Sequence, residues 1–205
     1  MILASQSPRR RELLEQIGVR FSIEAADIDE TPFPDEGAVA YVERMALEKA
    51  RVIATRYPGE VVLGSDTSVI WCDRILGKPA NNQDAEETLR GLSGQTHEVL
   101  SAVAIVKGQV KGQVQEPSRE LLQGTRERVI SVATKVTFRN LSDDEIRAYV
   151  ATGEPADKAG SYGIQGKGAI LVAAIQGSYS NVVGLPLTET AELLKEFDVP
   201  VWQAD

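Results

Sequence analysis

The chain has 205 residues, with 22 Lys and Arg against 30 Asp and Glu, a formal net charge of −8 and a pI near 4.9. That field repels polyanions and argues against nonspecific binding to nucleic acid or to an anionic membrane, although a local basic pocket can exist inside an acidic shell. With 42% hydrophobic and 25% charged residues it has the composition of an ordinary globular protein, one large domain or two small ones. The single cysteine, Cys72, excludes an internal disulfide, Met1 to Ala4 is too short for a signal-peptide apolar region, and no run approaches the roughly 18 apolar residues of a membrane span. A reducing, cytoplasmic setting is expected.

In chain order, Met1 to Ala4 reads as a short strand. Ser7 is a natural N-cap and Pro8 suits the first position of a helix running to Gly18, which places Arg9, Arg10 and Arg11 in its first turn. Cations there oppose the helix dipole at roughly 0.3–1 kcal/mol each, so the stretch is either a solvated basic helix start or a site awaiting phosphate or carboxylate. Phe21 to Ala25 suggests a strand, followed by the acids Asp27, Asp29 and Glu30. A helix is predicted from about Asp35 to Tyr57 and stops at Pro58-Gly59.

Val61 to Thr67 reads as a buried strand that delivers Asp66 near its C-terminal end. Thr67 to Cys72 and Ile75-Leu76 suggest a hairpin turning at Asp73-Arg74, closed by Gly77-Lys78-Pro79. A helix follows from Asn82 or Asp84 to Leu92. Strands are expected at Thr96–Val106 and Val129–Phe138, plausible antiparallel partners, and the Gly/Gln/Arg/Glu-rich tract at about 107–128 reads as an extended loop or hairpin. Ser142 and Glu145 form a capping box for a helix to about Ala151. The glycine-dense stretch from Asp157 to Gly166 is a loop with a tightly turning backbone. Ala169–Ile175 suggests a strand, Gly177-Ser178-Tyr179 a turn, and Pro186–Phe197 the last helix. Crossover and hairpin signals together indicate an α/β fold with a mixed sheet and flanking helices.

Several residues could carry chemistry. Asp66, at the end of an apolar strand, is either a carboxylate with a metal or basic partner or a turn cap. Glu48 and Lys49 point about 100° apart on a helix, which fits one flank of a site or an ordinary solvated face. Lys78 is held in a proline-restricted turn, and Glu30 is a pocket acid or a loop charge. His97 lacks a second metal-binding neighbour and suits a hydrogen-bonded structural role, and Cys72 reads as a packing residue. The G-x-S-x-G, P-loop and G-x-G-x-x-G patterns are absent.

Taken in order, Ala4-Ser5-Gln6-Ser7-Pro8-Arg9-Arg10, Leu47-Glu48-Lys49-Ala50, Gly64-Ser65-Asp66-Thr67, Lys78-Pro79, Leu92-Ser93-Gly94-Gln95-Thr96-His97, the run Asp157 to Gly166, and Val183-Gly184-Leu185-Pro186 resemble the Maf family of nucleoside triphosphate pyrophosphatases over nearly the whole chain. The resemblance implies one domain over 1–205, related to inosine triphosphate pyrophosphatases, with two lobes around a deep cleft. It also implies hydrolysis of a nucleoside triphosphate to the monophosphate and pyrophosphate with a divalent cation, Mg²⁺ or Mn²⁺.

Residue by residue, the resemblance makes Asp66 the catalytic acid or base, assisted by Glu48 and Lys49, with Glu30 and Asp66 toward the metal. Arg9, Lys49, Lys78 and Lys158 would meet the triphosphate, with Ser5 and Ser7 closing around it. Arg10, Thr67 and Gln165 match the branch acting on dTTP and UTP, and a glutamine can present both donor and acceptor to the imide edge of uracil or thymine. The tract from about Gly112 to Glu127 is longer than the usual hairpin of the family. The expected partner is the nucleotide, with no nucleic acid or membrane, and a homodimer is left open. Two other readings are a nucleotide-sensing regulator linked to cell division and a 7-methyl-GTP pyrophosphatase; the intact Asp66, Lys49 and Glu48 oppose the first, and Arg10, Thr67 and Gln165 the second.

Overall fold

The computed structural model describes residues 1–108 and 125–203. The elements run β1 (Ile2–Leu3), α1 (Pro8–Gln16), β2 (Ser22–Ile23), α2 (Ala38–Arg56), β3 (Val61–Trp71), β4 (Arg74–Leu76), α3 (Asn82–Leu92), β5 (Thr96–Lys107) and β6 (Arg126–Phe138). Then come α4 (Asp143–Val150), three short 3-10 turns between Glu154 and Leu171, β7 (Val172–Gln176), α5 (Tyr179–Val183) and α6 (Leu187–Glu196). The strands form one seven-stranded mixed sheet ordered β2-β1-β3-β5-β6-β7, with β4 also on β3. β2, β1 and β3 are parallel, and β3, β5, β6 and β7 are successively antiparallel. This is the mixed α/β fold with flanking helices that the sequence led one to expect.

Local chemistry explains the helix starts. Ser7 caps α1 with Pro8 following, the Asn81 side chain accepts from Asp84 N at the head of α3, and Ser142 and Glu145 form the reciprocal capping box of α4. The faces of the sheet follow the strand period of two. In β5, Leu100, Ala102, Ala104 and Val106 pack beneath α2, while Val99, Val103 and Ile105 join the larger core under α1, α3, α4 and α6. Because both faces are covered, β5 reads as a nearly continuous apolar run rather than an alternating one.

Several boundaries differ from the sequence expectations. The strand expected at Val61 to Thr67 and the hairpin arm expected at Thr67 to Cys72 are one strand, β3, through Trp71, because β5 pairs with it from Val61 to Ile70. α2 begins at Ala38 because Asp35 adopts φ +58°, which a helix cannot accommodate. β7 starts only at Val172, after a 3-10 turn, and Ser178 caps α5 where a plain turn was expected. Cys72 is exposed in the β3–β4 turn, where it and Asp73 have φ of 50° and 59°, so its expected packing role is not observed. β5 reaches Lys107 and β6 begins at Arg126, and the rest of the expected loop, residues 109–124, lies outside the described residues. Among the described residues no helix is long and apolar enough to cross a membrane.

Candidate active site

The site originates in a gap in the sheet. β5 pairs with one edge of β3 from Val61 to Ile70, but the other edge is shared: β1 pairs at Val62 and Leu63, and β4 only from Val69. Between them, Ser65 to Ser68 have no strand neighbour on that side among the described residues. The chain leaving β1 turns there through Ser5 and Ser7 into α1, opening a cleft of about 1000 Å³. The cleft is lined by Ser5, Ser7, Arg9, Arg10, Glu30, Lys49, Asp66, Thr67, Lys78, Lys158 and Gln165, which gathers all the sequence-identified candidates except Glu48.

Adjacent residues of β3 point to opposite faces, so Asp66 and Thr67 serve different walls. On the α2 side, the backbone of α2 lies directly on Gly64: a Cβ there would sit 2.2 Å from Ala46 O and 2.8 Å from Ala50 N. This close approach brings Lys49 beside Asp66. Lys49 Nζ donates to Asp66 Oδ1 at 2.7 Å and pairs with Glu30 Oε1 at 2.8 Å. For Glu30, desolvation opposes ionisation, but the hydrogen bond from Lys49 and the charges of Lys49, Lys78 and Arg10 outweigh it and hold the carboxyl below its usual range. Tyr41, also lining the cleft, donates to Glu30 O at 2.9 Å; burial, then the charges of Asp66 and Glu30, push its hydroxyl up to about 12.

The loop carrying Glu30 is fastened to α2 by Arg44. Its guanidinium donates to both oxygens of Glu36, each at 2.6 Å, and to Thr31 O at 3.2 Å, and it stacks 3.9 Å from the Phe33 ring centre. Arg44 also explains the position of Glu48. Being one residue from Lys49, Glu48 is rotated about 100° away when Lys49 faces β3. Its carboxylate pairs with Arg44 at 3.6 Å and does not line the cleft, so the expectation that Glu48 works beside Lys49 finds no geometric support.

On the opposite face, Arg10 is bound by neutral oxygens. Its Nε donates to Gly184 O at 3.1 Å, Nη1 to Ser5 Oγ at 3.3 Å and Nη2 to Thr67 Oγ1 at 3.2 Å. Burial lowers its pKa, with Asp66 opposing that and Arg9 adding to it. Thr67 Oγ1 lies 2.9 Å from Ser101 Oγ, and Ser101 donates to Asn181 O at 3.1 Å. Since Ser101 has one proton and gives it to Asn181, the Thr67 proton points to Ser101, leaving the Thr67 oxygen to accept from Arg10. Ser5 Oγ also accepts from Ser7 N at 3.2 Å, and Ser7 Oγ from Arg10 N at 3.5 Å.

The remaining cations differ in availability. Arg9 and Lys78 have no hydrogen-bond or ion-pair partner among the described residues, and α1 has no acid in its first turn. Lys158 is engaged with Asp157 Oδ1 at 2.7 Å and Glu154 O at 2.8 Å. Arg11 turns away to pair with Glu15, both side chains being exposed. Gln165 is exposed on the rim. His97 lies beneath the cleft wall, its Nε2 2.8 Å from the Tyr162 hydroxyl and its ring edge-on to Phe138 and Tyr162; burial lowers its pKa to about 4.

Residues absent from the sequence reading are those acting through other residues. Arg44, Ser101 and Asn181 orient the groups named above, and Glu154 binds backbone amides 13 and 14 positions away at Lys167 and Gly168. The only advance signal for Glu154 was the density of glycine downstream, which implies exposed amides in need of an acceptor.

The comparisons with known proteins agree with this geometry in extent. The family model for Maf-like protein matches residues 1–197. The dTTP/UTP pyrophosphatase of Myxococcus xanthus is 50% identical over 205 residues, covering 100% of this chain and 96% of that protein. Those of Symbiobacterium thermophilum and Moorella thermoacetica are 46% and 49% identical, each covering 98% of this chain and 96% and 97% of their own. The solved structure of the Staphylococcus aureus Ham1 protein matches with a TM-score of 0.46 and 14% identity over 96% of this chain and 98% of that one, too distant to bear on the site. With the motifs around the cleft in family order and the match running from the first strand to the last helix, the chain belongs to the Maf family.

Proposed function

We propose that this protein is a nucleoside triphosphate pyrophosphatase that hydrolyses dTTP and UTP to the monophosphate and pyrophosphate. The names and full-length coverage of its relatives support the substrate class. The observation that carries the chemistry is the convergence of Asp66 and Glu30 on Lys49, in one cleft with Arg9 and Lys78, which have no ion-pair partner among the described residues. We read residues 1–205 as one domain. A nucleotide substrate and a single exposed thiol, Cys72, favour a cytoplasmic setting.

In this reading the triphosphate lies along Arg9, Lys78 and Lys158, with Ser5, Ser7 and the head of α1 closing on its oxygens. Water attacks the α-phosphorus, the new bond forming to the water oxygen while the bond to the α,β-bridging oxygen breaks and pyrophosphate departs. Lys49 occupies Asp66 Oδ1, leaving Oδ2 to take the proton of the attacking water. Lys49 also holds Glu30 and Asp66 as a matched pair of carboxylates. The second oxygen of Glu30 makes no hydrogen bond among the described residues and, with substrate phosphates and water, would hold Mg²⁺ or Mn²⁺, while Asp66 would act toward that cation through the water it deprotonates. Such a cation, when bound, neutralises phosphate charge and acidifies coordinated water. Arg10, oriented by Thr67, and Gln165 select the pyrimidine.

Turnover on a panel of nucleoside triphosphates, read as pyrophosphate release with Mg²⁺ or Mn²⁺, tests the proposal. dTTP and UTP should be the preferred substrates, and absence of turnover on both would refute it. Asp66→Asn should lower kcat by about 10²-fold or more while KM stays within a few-fold, because the base is lost and the phosphate cations remain.

A further inference from the structure

Gln165 is assigned the nucleobase, yet it sits exposed, and within its loop the side chain of Ile164 is seated in the core while the polar backbone around it needs partners from outside. What fixes that loop is a residue to which no role has been given. Glu154 Oε1 accepts from Gly168 N at 3.0 Å and from the Tyr149 hydroxyl at 2.9 Å, and Oε2 accepts from Lys167 N at 2.8 Å. Tyr149, having given its proton to Glu154, accepts from Gly163 N at 3.1 Å. The loop is therefore tied on both sides of Gln165, at 163 and at 167–168. Gly166 lets the backbone lie flat on the carboxylate: a Cβ there would stand 2.4 Å from Glu154 Oε2. The backbone carbonyl of the same residue receives Lys158 Nζ at 2.8 Å, so one residue sets both a phosphate cation and the rim of the base pocket.

We propose that Glu154 is a positioning residue for nucleobase recognition, holding the 163–168 loop so that Gln165 presents a fixed donor and acceptor to the pyrimidine. This rests on the reading of Gln165 as the base reader. An ionised carboxylate is the group the loop requires, since every partner aimed at it is a donor. A glutamine in its place would turn an NH₂ toward at least one N–H, and the loop would have to move. A loosened Gln165 can rotate its amide and accept cytosine as readily as uracil, so the loss falls on discrimination and affinity rather than on attack at phosphorus.

The test is steady-state kinetics of the full-length protein with UTP and CTP in Mg²⁺, comparing wild type, Glu154→Gln, Glu154→Asp, Tyr149→Phe and Gln165→Ala, with thermal melting of each. Wild type should prefer UTP. Glu154→Gln should raise KM for UTP about tenfold with kcat changed less than about threefold, and should erode the UTP:CTP ratio of kcat/KM. Glu154→Asp should recover part of both effects. Because KM and the substrate ratio do not depend on the folded fraction, a destabilised variant still reports, and if Glu154→Gln does not fold, Tyr149→Phe should show the same pattern more weakly. A wild-type KM and ratio in Glu154→Gln, or a loss confined to kcat, would overturn the inference while Gln165→Ala still altered the ratio. A wild-type ratio in Gln165→Ala would overturn the base-reader assignment and the inference with it.

Discussion

Lys49 places one positive charge between two carboxylates in a cleft wall, and the three groups are not equally exposed. The Lys49 and Asp66 side chains are 10% and 13% exposed, whereas Glu30 is 56% exposed. Removing a cation from a nearly buried pair leaves an uncompensated charge, which costs about 3–5 kcal/mol in buried cases, while an exposed pair contributes about 1 kcal/mol or less. Lys49→Ala should therefore lower unfolding stability in urea by about 3 kcal/mol, and Glu30→Gln by under about 1 kcal/mol. Equal losses would show that Glu30, not Asp66, is the main partner of Lys49. The same asymmetry fits their proposed tasks, since the exposed acid can exchange ligands and the enclosed one keeps its orientation.

At the level of elements, the site depends on α2 lying against β3, and Gly64 makes that contact possible. A methyl group at this position meets Ala46 O at 2.2 Å, and backbone cannot yield as a flexible side chain does. Gly64→Ala should cost about 1–3 kcal/mol by urea unfolding and also lower kcat, because pushing α2 away moves Lys49 from Asp66. A stable but inactive variant, or an active but destabilised one, would separate the two consequences and contradict their common origin. Gly64 also illustrates what the sequence could disclose. The caps at Ser7 and Ser142 are local chemistry within four residues, and they were readable, whereas the start of α3 was read at Asn82 or Asp84, one residue or more past its cap Asn81. That the segments expected at Val61 to Thr67 and Thr67 to Cys72 are one continuous strand was not readable, because their union is imposed by β5, about 30 residues later. The pairing of Glu30 with Lys49 and the hold of Glu154 on 167–168 were hidden for the same reason. Glu48 misled because neighbouring positions on a helix diverge in space even though they adjoin in sequence.

For the molecule as a whole, acid stability should show two stages. His97 is 2% exposed and its pKa is lowered by burial to about 4, against about 6.5 when unfolded. The folded protein thus resists a proton that the unfolded chain accepts. The contribution of neutral His97 is complete above pH 6.5 and is lost as the pH falls from 6.5 to about 4, in total about 3 kcal/mol. Carboxylates behave differently: Glu36 and Glu145 are held down from 4.5 to about 2, chiefly by hydrogen bonds from Arg44 and Arg139, so their contribution is present above pH 4.5 and is lost as the pH falls from there to about 2. Urea midpoints at pH 7.5 and pH 5 should differ more for wild type than for His97→Gln. An equal shift in both proteins would place the acid sensitivity elsewhere.

Attack of water at the α-phosphorus is the step proposed for the cleft, and the most direct measurement of it follows the oxygen. Hydrolysis of dTTP in ¹⁸O-labelled water, analysed by mass spectrometry or ³¹P NMR, should put one label in the phosphate of the monophosphate and none in pyrophosphate. Label in pyrophosphate would mean attack at the β-phosphorus, and would contradict the placement of the triphosphate along Arg9, Lys78 and Lys158 with its α-phosphorus facing Asp66.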